Sequence, residues 1–135
     1  MKFIDNMRTQ AKRKKKKIVL PEADDERIIK AASILSQEKI ASPILIGNEK
    51  NIKDEFLELD LDLEGISIFE PEKHPQLDEF VEIYYQKRQH KGISQEEAAE
   101  TMLGRNFFGT MLVEKGIADG CLSGAATPTG DVLRP

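Results

Sequence analysis

Residues Ser123 to Pro135 read SGAATPTGDVLRP and gather small side chains, hydroxyls and one arginine in a short span. Gly124 and Gly130 let a backbone come close to a ligand. Ala125 and Ala126 take little room, while Ser123, Thr127 and Thr129 offer hydroxyls. Asp131 is placed to cap a helix that Val132, Leu133 and Arg134 begin. Amides exposed at a helix N-terminus, with hydroxyls and an arginine beside them, form an anion site, and phosphate is the obvious anion. A plain strand-to-helix turn uses the same small residues and holds no ligand. The span has neither the G-x-x-x-x-G-K-[ST] spacing of a Walker loop nor the G-x-G-x-x-G of a dinucleotide site.

A second arginine, Arg88, stands in YYQKRQHKG near the end of a helical pattern. Its simplest role there is that of a solvated cation favoured by the negative end of the helix dipole. His90 then reads as a surface histidine of the same turn. Cys121, within ADGCLSG, reads as a small core residue of a strand. Two histidines and one cysteine, well separated, give no metal-ligand cluster. No Ser-His-Asp triad emerges from the spacing.

A loop of this kind needs a strand before it and a helix after it, and the pattern supplies such elements along the chain. Ile18, Val19 and Leu20 in IVLPE are consecutive apolar residues, the signature of a strand covered on both faces. Pro21 ends it. Asp24, Asp25 and Glu26 stand where a helix begins, since carboxylates cap free amides and suit the dipole there. Ile28, Ala32 and Leu35 follow on one face of that helix. PILIG is a second buried strand, NEKNIKDEFLEL a short charged helix capped by Asn48, and GISIF a third strand.

Leu77, Phe80, Val81 and Tyr84 lie at i, i+3, i+4 and i+7 of a helix that Gly92 ends. SQEE is a capping box, with Ser94 reaching forward and Glu97 reaching back. Ala98, Ala99, Met102 and Leu103 form the buried side of the helix it starts. Phe107, Phe108, Met111 and Leu112 form another apolar face, closed by Gly116, and ADGCLSG is a last short strand. Ahead of all these, Phe3, Ile4, Met7 and Ala11 lie at helical spacing. Strands alternating with helices predict an α/β fold, a parallel sheet between two helical layers. Ligands of such sheets sit beyond the carboxyl ends of the strands, where SGAATPTGD lies.

The 135-residue chain is 39% hydrophobic and 33% charged, the balance of a soluble globular domain with a real core. No apolar run nears the roughly 20 residues of a membrane helix, so no membrane partner is expected. The N-terminus, MKFIDNMRTQ, lacks the apolar centre of a signal peptide. One cysteine cannot form an internal disulfide, which fits a reducing cytoplasm. A net charge of −4 gives no general attraction to nucleic acid. The block KRKKKK, Lys12 to Lys17, is a candidate polyanion contact. It reads more simply as the solvated last turn of the first helix, because it runs straight into a buried strand.

The blocks KIVLPEADDERIIKAA, ASPILIGNE, RQHKGIS and FFGTMLVEKGIADGCLSGAATPTGDVLRP stand in an order and spacing similar to those of a known family. The chain resembles the N-terminal part of the phosphate acetyl/butyryltransferase family, of the phosphate acetyltransferase type, over nearly its whole length. That resemblance implies an acyltransferase moving acetyl between coenzyme A and inorganic phosphate. It implies two α/β domains with the active site in the cleft between them, a homodimer, and no metal in the chemistry. No tightly bound cofactor is implied; coenzyme A and acetyl-CoA are substrates. The arginine of the family's R-x-H-K-G block matches Arg88, and that of its L-R-P block matches Arg134. Both are associated there with substrate anions and are the catalytic candidates. The small-residue loop implies substrate contacts at Ser123, Gly124, Ala125, Thr127 and Thr129.

The implied mechanism suits those residue types. The coenzyme A thiolate attacks the acetyl carbonyl. Arginines neutralise the departing phosphate and orient the acyl group, and loop amides are placed to stabilise the developing oxyanion. Two departures matter. Family members often carry histidine where Thr127 stands, which leaves open a propionyl- or butyryl-specific enzyme. Family members also continue into a second domain and return to the first, bringing an aspartate proposed as thiol base and another arginine. Residues 1–135 are therefore expected to be an incomplete N-terminal α/β domain with little transferase activity alone. Uncovered sheet edge and helix faces should make it self-associate. The competing reading is a stand-alone module that binds acyl phosphate or coenzyme A without catalysis. If Arg88 and Arg134 serve one anion, their guanidinium groups must converge.

Overall fold

The structure, a computed structural model, describes residues 2–135 apart from the side chain of Thr129. A helix, α1 (Lys2–Lys14), leads into β1 (Lys17–Leu20), α2 (Glu26–Gln37), β2 (Ser42–Ile46), α3 (Glu49–Glu58) and β3 (Ser67–Phe69). Three helices follow, α4 (Leu77–Arg88), α5 (Gln95–Met102) and α6 (Arg105–Glu114), then β4 (Gly120–Cys121) and α7 (Thr129–Leu133). The four strands form one parallel sheet in the order β3-β2-β1-β4. Val19 pairs with Ile44 on one side and Cys121 on the other, so β1 is an inner strand.

The sheet's two faces carry separate cores because successive strand residues point to opposite sides. Val19, Ile44 and Ile46 pack with Phe80, Met102, Phe108 and Leu112 from α4, α5 and α6. Leu20 and Leu45 pack on the other face with Ile29 and Ala32 of α2 and Ile52 and Phe56 of α3. The result is the expected three-layer α/β/α arrangement. Burying each such large apolar side chain contributes about 1.5–3 kcal/mol, before the entropy of ordering it is subtracted.

The helix starts follow the capping chemistry. Asp25 accepts from the Arg27 amide at 2.9 Å and Asn48 from the Asn51 amide at 2.9 Å. Ser94 accepts from the Glu97 amide at 3.1 Å, and the Glu97 carboxylate returns to the Ser94 hydroxyl, not to its backbone. Gly92 closes the turn after α4 in the left-handed region.

Three expectations change. Asp131 does not cap the last helix. Pro128, whose ring fixes φ, starts α7 earlier, and the Asp131 side chain pairs with Arg134 at 3.4 Å. Cys121 is exposed, because β4 is a two-residue edge strand with no strand among the described residues paired to its outer side. The apolar stripe of α1 forms as a helix but buries nothing, and Phe3 is 75% exposed. Lys12, Arg13 and Lys14 do occupy the last turn of α1, and Lys17 opens β1.

Gly109 sets how closely α6 lies on the sheet. A Cβ there would stand 2.9 Å from Val19 Cγ1 and 3.4 Å from Cys121 Sγ. Only a residue without a side chain allows that approach. It brings the first turn of α6, with Arg105 and Asn106, over the ends of β1 and β4.

Candidate functional site

The strand order reverses at β1. The chain steps from β1 to β2 to β3 in one direction, and β4 then returns to the other side of β1. Loops leaving the carboxyl ends of β1 and β4 diverge there, which opens the crevice where such sheets bind ligands. Here the crevice is a hollow of about 320 Å³. Pro21, Glu22 and Asp24 line it from the turn after β1, Ala126 and Thr127 from the loop after β4, and Arg105 and Asn106 from α6.

Glu22 organises the loop after β4. Its side chain is buried, with the residue 5% exposed. Its Oε1 accepts from the amides of Gly124 (2.8 Å) and Ala125 (3.0 Å). Its Oε2 accepts from the amide of Ala126 (2.6 Å) and the hydroxyl of Thr127 (2.8 Å). Burial pushes the carboxyl's pKa up, but the donors on Ala126, Thr127, Gly124 and Ala125 outweigh it and hold it below the ordinary 4.5. Gly124, at φ +123, makes the bend that aims the amides inward.

The loop's other polar groups are also held. Arg27 grips Asp25 with two bonds, Nε at 3.0 Å and Nη2 at 2.7 Å, and the same Nη2 donates to the Ala125 carbonyl at 2.8 Å. Ser123 donates to Asn106 Oδ1 at 3.0 Å. Beside the loop, Arg105 pairs with Asp24 at 2.8 Å. Its guanidinium also borders a second hollow of about 210 Å³, shared with Asn48, Asn51 and Glu55.

The two candidate arginines lie in a different setting. Arg88, at the end of α4, stands over the Tyr84 ring at 5.8 Å. It borders a hollow of about 140 Å³ with Phe107, Thr110 and Pro135. Pro135 and Arg88 thus border one hollow, while the Arg134 guanidinium turns to Asp131. No contact among the described residues draws the two guanidinium groups onto one point. The Thr129 side chain lies outside the described residues; its backbone opens α7.

Residues 2–135 match the family profile described as phosphate acetyl/butaryl transferase. The chain belongs to this family. Among phosphate acetyl/butaryl transferase relatives, it is 42% identical over 133 residues to the phosphate acetyltransferase of Nitratidesulfovibrio vulgaris, covering 98% of this chain and 19% of that one. It is 44% identical over 119 residues to the Bacillus subtilis phosphate acetyltransferase, covering 88% and 36%. A phosphotransacetylase structure from Streptococcus pyogenes superposes with a TM-score of 0.91 at 32% identity, covering 98% and 40%. One from Staphylococcus aureus gives 0.84 at 37%, covering 97% and 41%. The chain therefore spans about two fifths or less of the length of these relatives.

Within this family member, the structure adds residues to those that spacing suggested. Glu22, Arg27, Arg105 and Asn106 all border or brace the crevice. Arg27 and its neighbours read in sequence only as a helix start. The available signal was Glu22 itself, a carboxylate directly after a strand-ending proline at the carboxyl edge of a parallel sheet. Among the described residues, no helix is long and apolar enough to cross a membrane.

Proposed function

We propose that residues 1–135 are the N-terminal α/β domain of a phosphate acetyltransferase acting on acetyl-CoA and inorganic phosphate. The observation that carries this reading is the crevice at the strand-order reversal. Its walls are the PEADDER turn and the SGAATPTG loop, two of the blocks shared with the family. In the direction of acetyl-CoA synthesis, the coenzyme A thiolate attacks the carbonyl carbon of acetyl phosphate. The new C–S bond forms, the C–O bond to phosphate breaks, and phosphate leaves with the electron pair. Arg88 and Arg134 hold the phosphate, and Ser123, Gly124, Ala125, Thr127 and Thr129 line its pocket.

Coenzyme A enters as a substrate, and no tightly bound cofactor takes part. The protein works in the cytoplasm as a homo-oligomer, a reading supported by the exposed Phe3 and Met7 on α1. The arginines have too few partners here to form a finished phosphate clamp. The 135-residue chain alone therefore has little activity.

The test is thiol release from acetyl-CoA with phosphate, using this chain and one extended to the length of its relatives. Activity confined to the longer protein is the expected result. Comparable activity in the shorter chain overturns the incomplete-site reading. Inactivity of both overturns the acetyltransferase reading. Propionyl- and butyryl-CoA in the same assay read the acyl preference, which Thr127 puts in question.

A further inference from the structure

We propose that Glu22 is the positioning residue of the substrate loop, an internal anion that fixes residues 124–127 so that substrate meets side chains instead of loop amides. This rests on the loop's role in the proposed transferase.

The reasoning begins with an accounting of donors. Three consecutive amides turned to one side form a concavity that binds an anion. Left open, it would be a phosphate cradle. Here both oxygens of a buried carboxylate fill it, and the Thr127 hydroxyl completes a set of four donors within 3.0 Å. Among the described residues no lysine or arginine forms an ion pair with Glu22. Its hydrogen-bond partners are the loop's own donors, with the Arg27 charge nearby, and carboxylate and loop depend on each other. If the loop opens, a buried carboxylate is stranded; if the carboxylate goes, three amides lose their partner.

The second set of anchors shows which partner is fixed. Arg27 is held in a fork on Asp25 and pulls the Ala125 carbonyl at 2.8 Å. Asn106 receives the Ser123 hydroxyl at 3.0 Å. The loop is held through its amides, a carbonyl and a hydroxyl at once. These anchors come from three places: Glu22 in the turn after β1, Arg27 in the first turn of α2 and Asn106 in the first turn of α6. A loop waiting to exchange Glu22 for substrate would not be tied elsewhere as well. The Thr127 hydroxyl proton is spent on Glu22, so this side chain meets substrate only as an acceptor, through the oxygen lone pairs, and through its methyl group.

Amide hydrogen exchange and a phosphate titration on the 135-residue chain test this, with kinetics on the longer protein. Exchange at Gly124, Ala125 and Ala126, corrected for its intrinsic rate, should be slow. It should speed up at least about tenfold in Glu22→Gln, while Val19 and Leu45 amides keep their protection. In the wild type the same three amides should lose protection as pH falls through the Glu22 titration, a readout that needs no variant. Added phosphate or acetyl phosphate should leave the amide signals of residues 124–126 in place. In the longer protein, Glu22→Gln should lower kcat at least about tenfold. Unchanged exchange in Glu22→Gln overturns the proposal. So does phosphate that shifts the three amides and binds Glu22→Gln more tightly, because Glu22 would then be a competing latch. If the longer protein has no transferase activity, the exchange and titration results still decide the role of Glu22 in the loop, separately from the function.

Discussion

The loop after β4 and the two candidate arginines, one at the end of α4 and one just past the loop, are built in opposite ways. The loop is held by a buried carboxylate, a forked arginine and an asparagine, with every contact supplied by this chain. Arg88 and Arg134 hang at a helix end and a chain end, with a tyrosine ring and a one-turn carboxylate as partners. Groups that must already have a fixed shape before substrate arrives are paired internally. Arg134 is exposed and Arg88 half-buried, and neither is closed into an internal ion pair of the kind that holds the loop, which leaves their charge available to the anion proposed for them. On this comparison, changes to the loop's supports should show in folding, and changes to the arginines should not.

The largest effect is expected from Glu22→Ala, which leaves three amides and a hydroxyl of the loop without their acceptor. A loss of about 3 kcal/mol in urea unfolding is expected from unsatisfied groups of this kind. An unchanged midpoint would erase the contrast between loop and arginines. The carboxyl also makes stability depend on pH. Its folded pKa lies below the ordinary 4.5, so its contribution is present above that value and is lost as pH falls through the lowered one.

His74 adds an earlier step. It packs among Phe69, Phe80 and Phe108, and burial holds its pKa below 6.5. The unfolded chain takes up the proton first, so stability should begin to fall below about pH 6.5 and fall again below about 4.5. His74→Phe should flatten the first step and leave the second.

A smaller loss, about 2 kcal/mol, is expected from Gly109→Ala, whose methyl would meet Val19 Cγ1 at 2.9 Å. The sharper readout is position. As α6 lifts from the sheet, Asn106 withdraws from Ser123, and exchange at the loop should rise together with the loss of stability. A destabilised protein with an undisturbed loop would show that α6 does not set the crevice.

How much of this was legible follows from range. Ile18, Val19 and Leu20 announced a strand covered on both faces, and Asp25, Asn48 and Ser94 announced helix starts, because each signal lies within a few residues. The Glu22 cradle joins residues 102 to 105 positions apart, and nothing local to either end reports the other. Glu22, lying between the strand-ending Pro21 and the helix-start carboxylates, drew no reading of its own. Cys121 was misjudged for a related reason. An apolar neighbourhood marks a strand but does not say whether it is an edge. The resemblance carried by RQHKG and LRP singled out Arg88 and Arg134; physical reading alone treated Arg88 as a solvated cation and left Arg134 between an anion site and a plain turn.

The smallest effect on folding should come from those two arginines, and it is the one that sharpens the comparison most. Arg88, half-buried over the Tyr84 ring, gains about 1 kcal/mol from that contact. Arg134 and Asp131 form an exposed pair one turn apart, 70% and 49% accessible, worth a few tenths of a kcal/mol at about physiological salt. Arg88→Ala and Arg134→Ala should therefore unfold within about 1 kcal/mol of the parent chain. In the longer protein the same changes should cut transfer to phosphate at least about tenfold, because a charge-assisted contact to a departing anion is worth more than a surface pair. Stability lost without loss of transfer would make these arginines structural. Transfer lost at full stability, with loop exchange unchanged, would place the work of binding the anion on them and the work of shaping its pocket on Glu22.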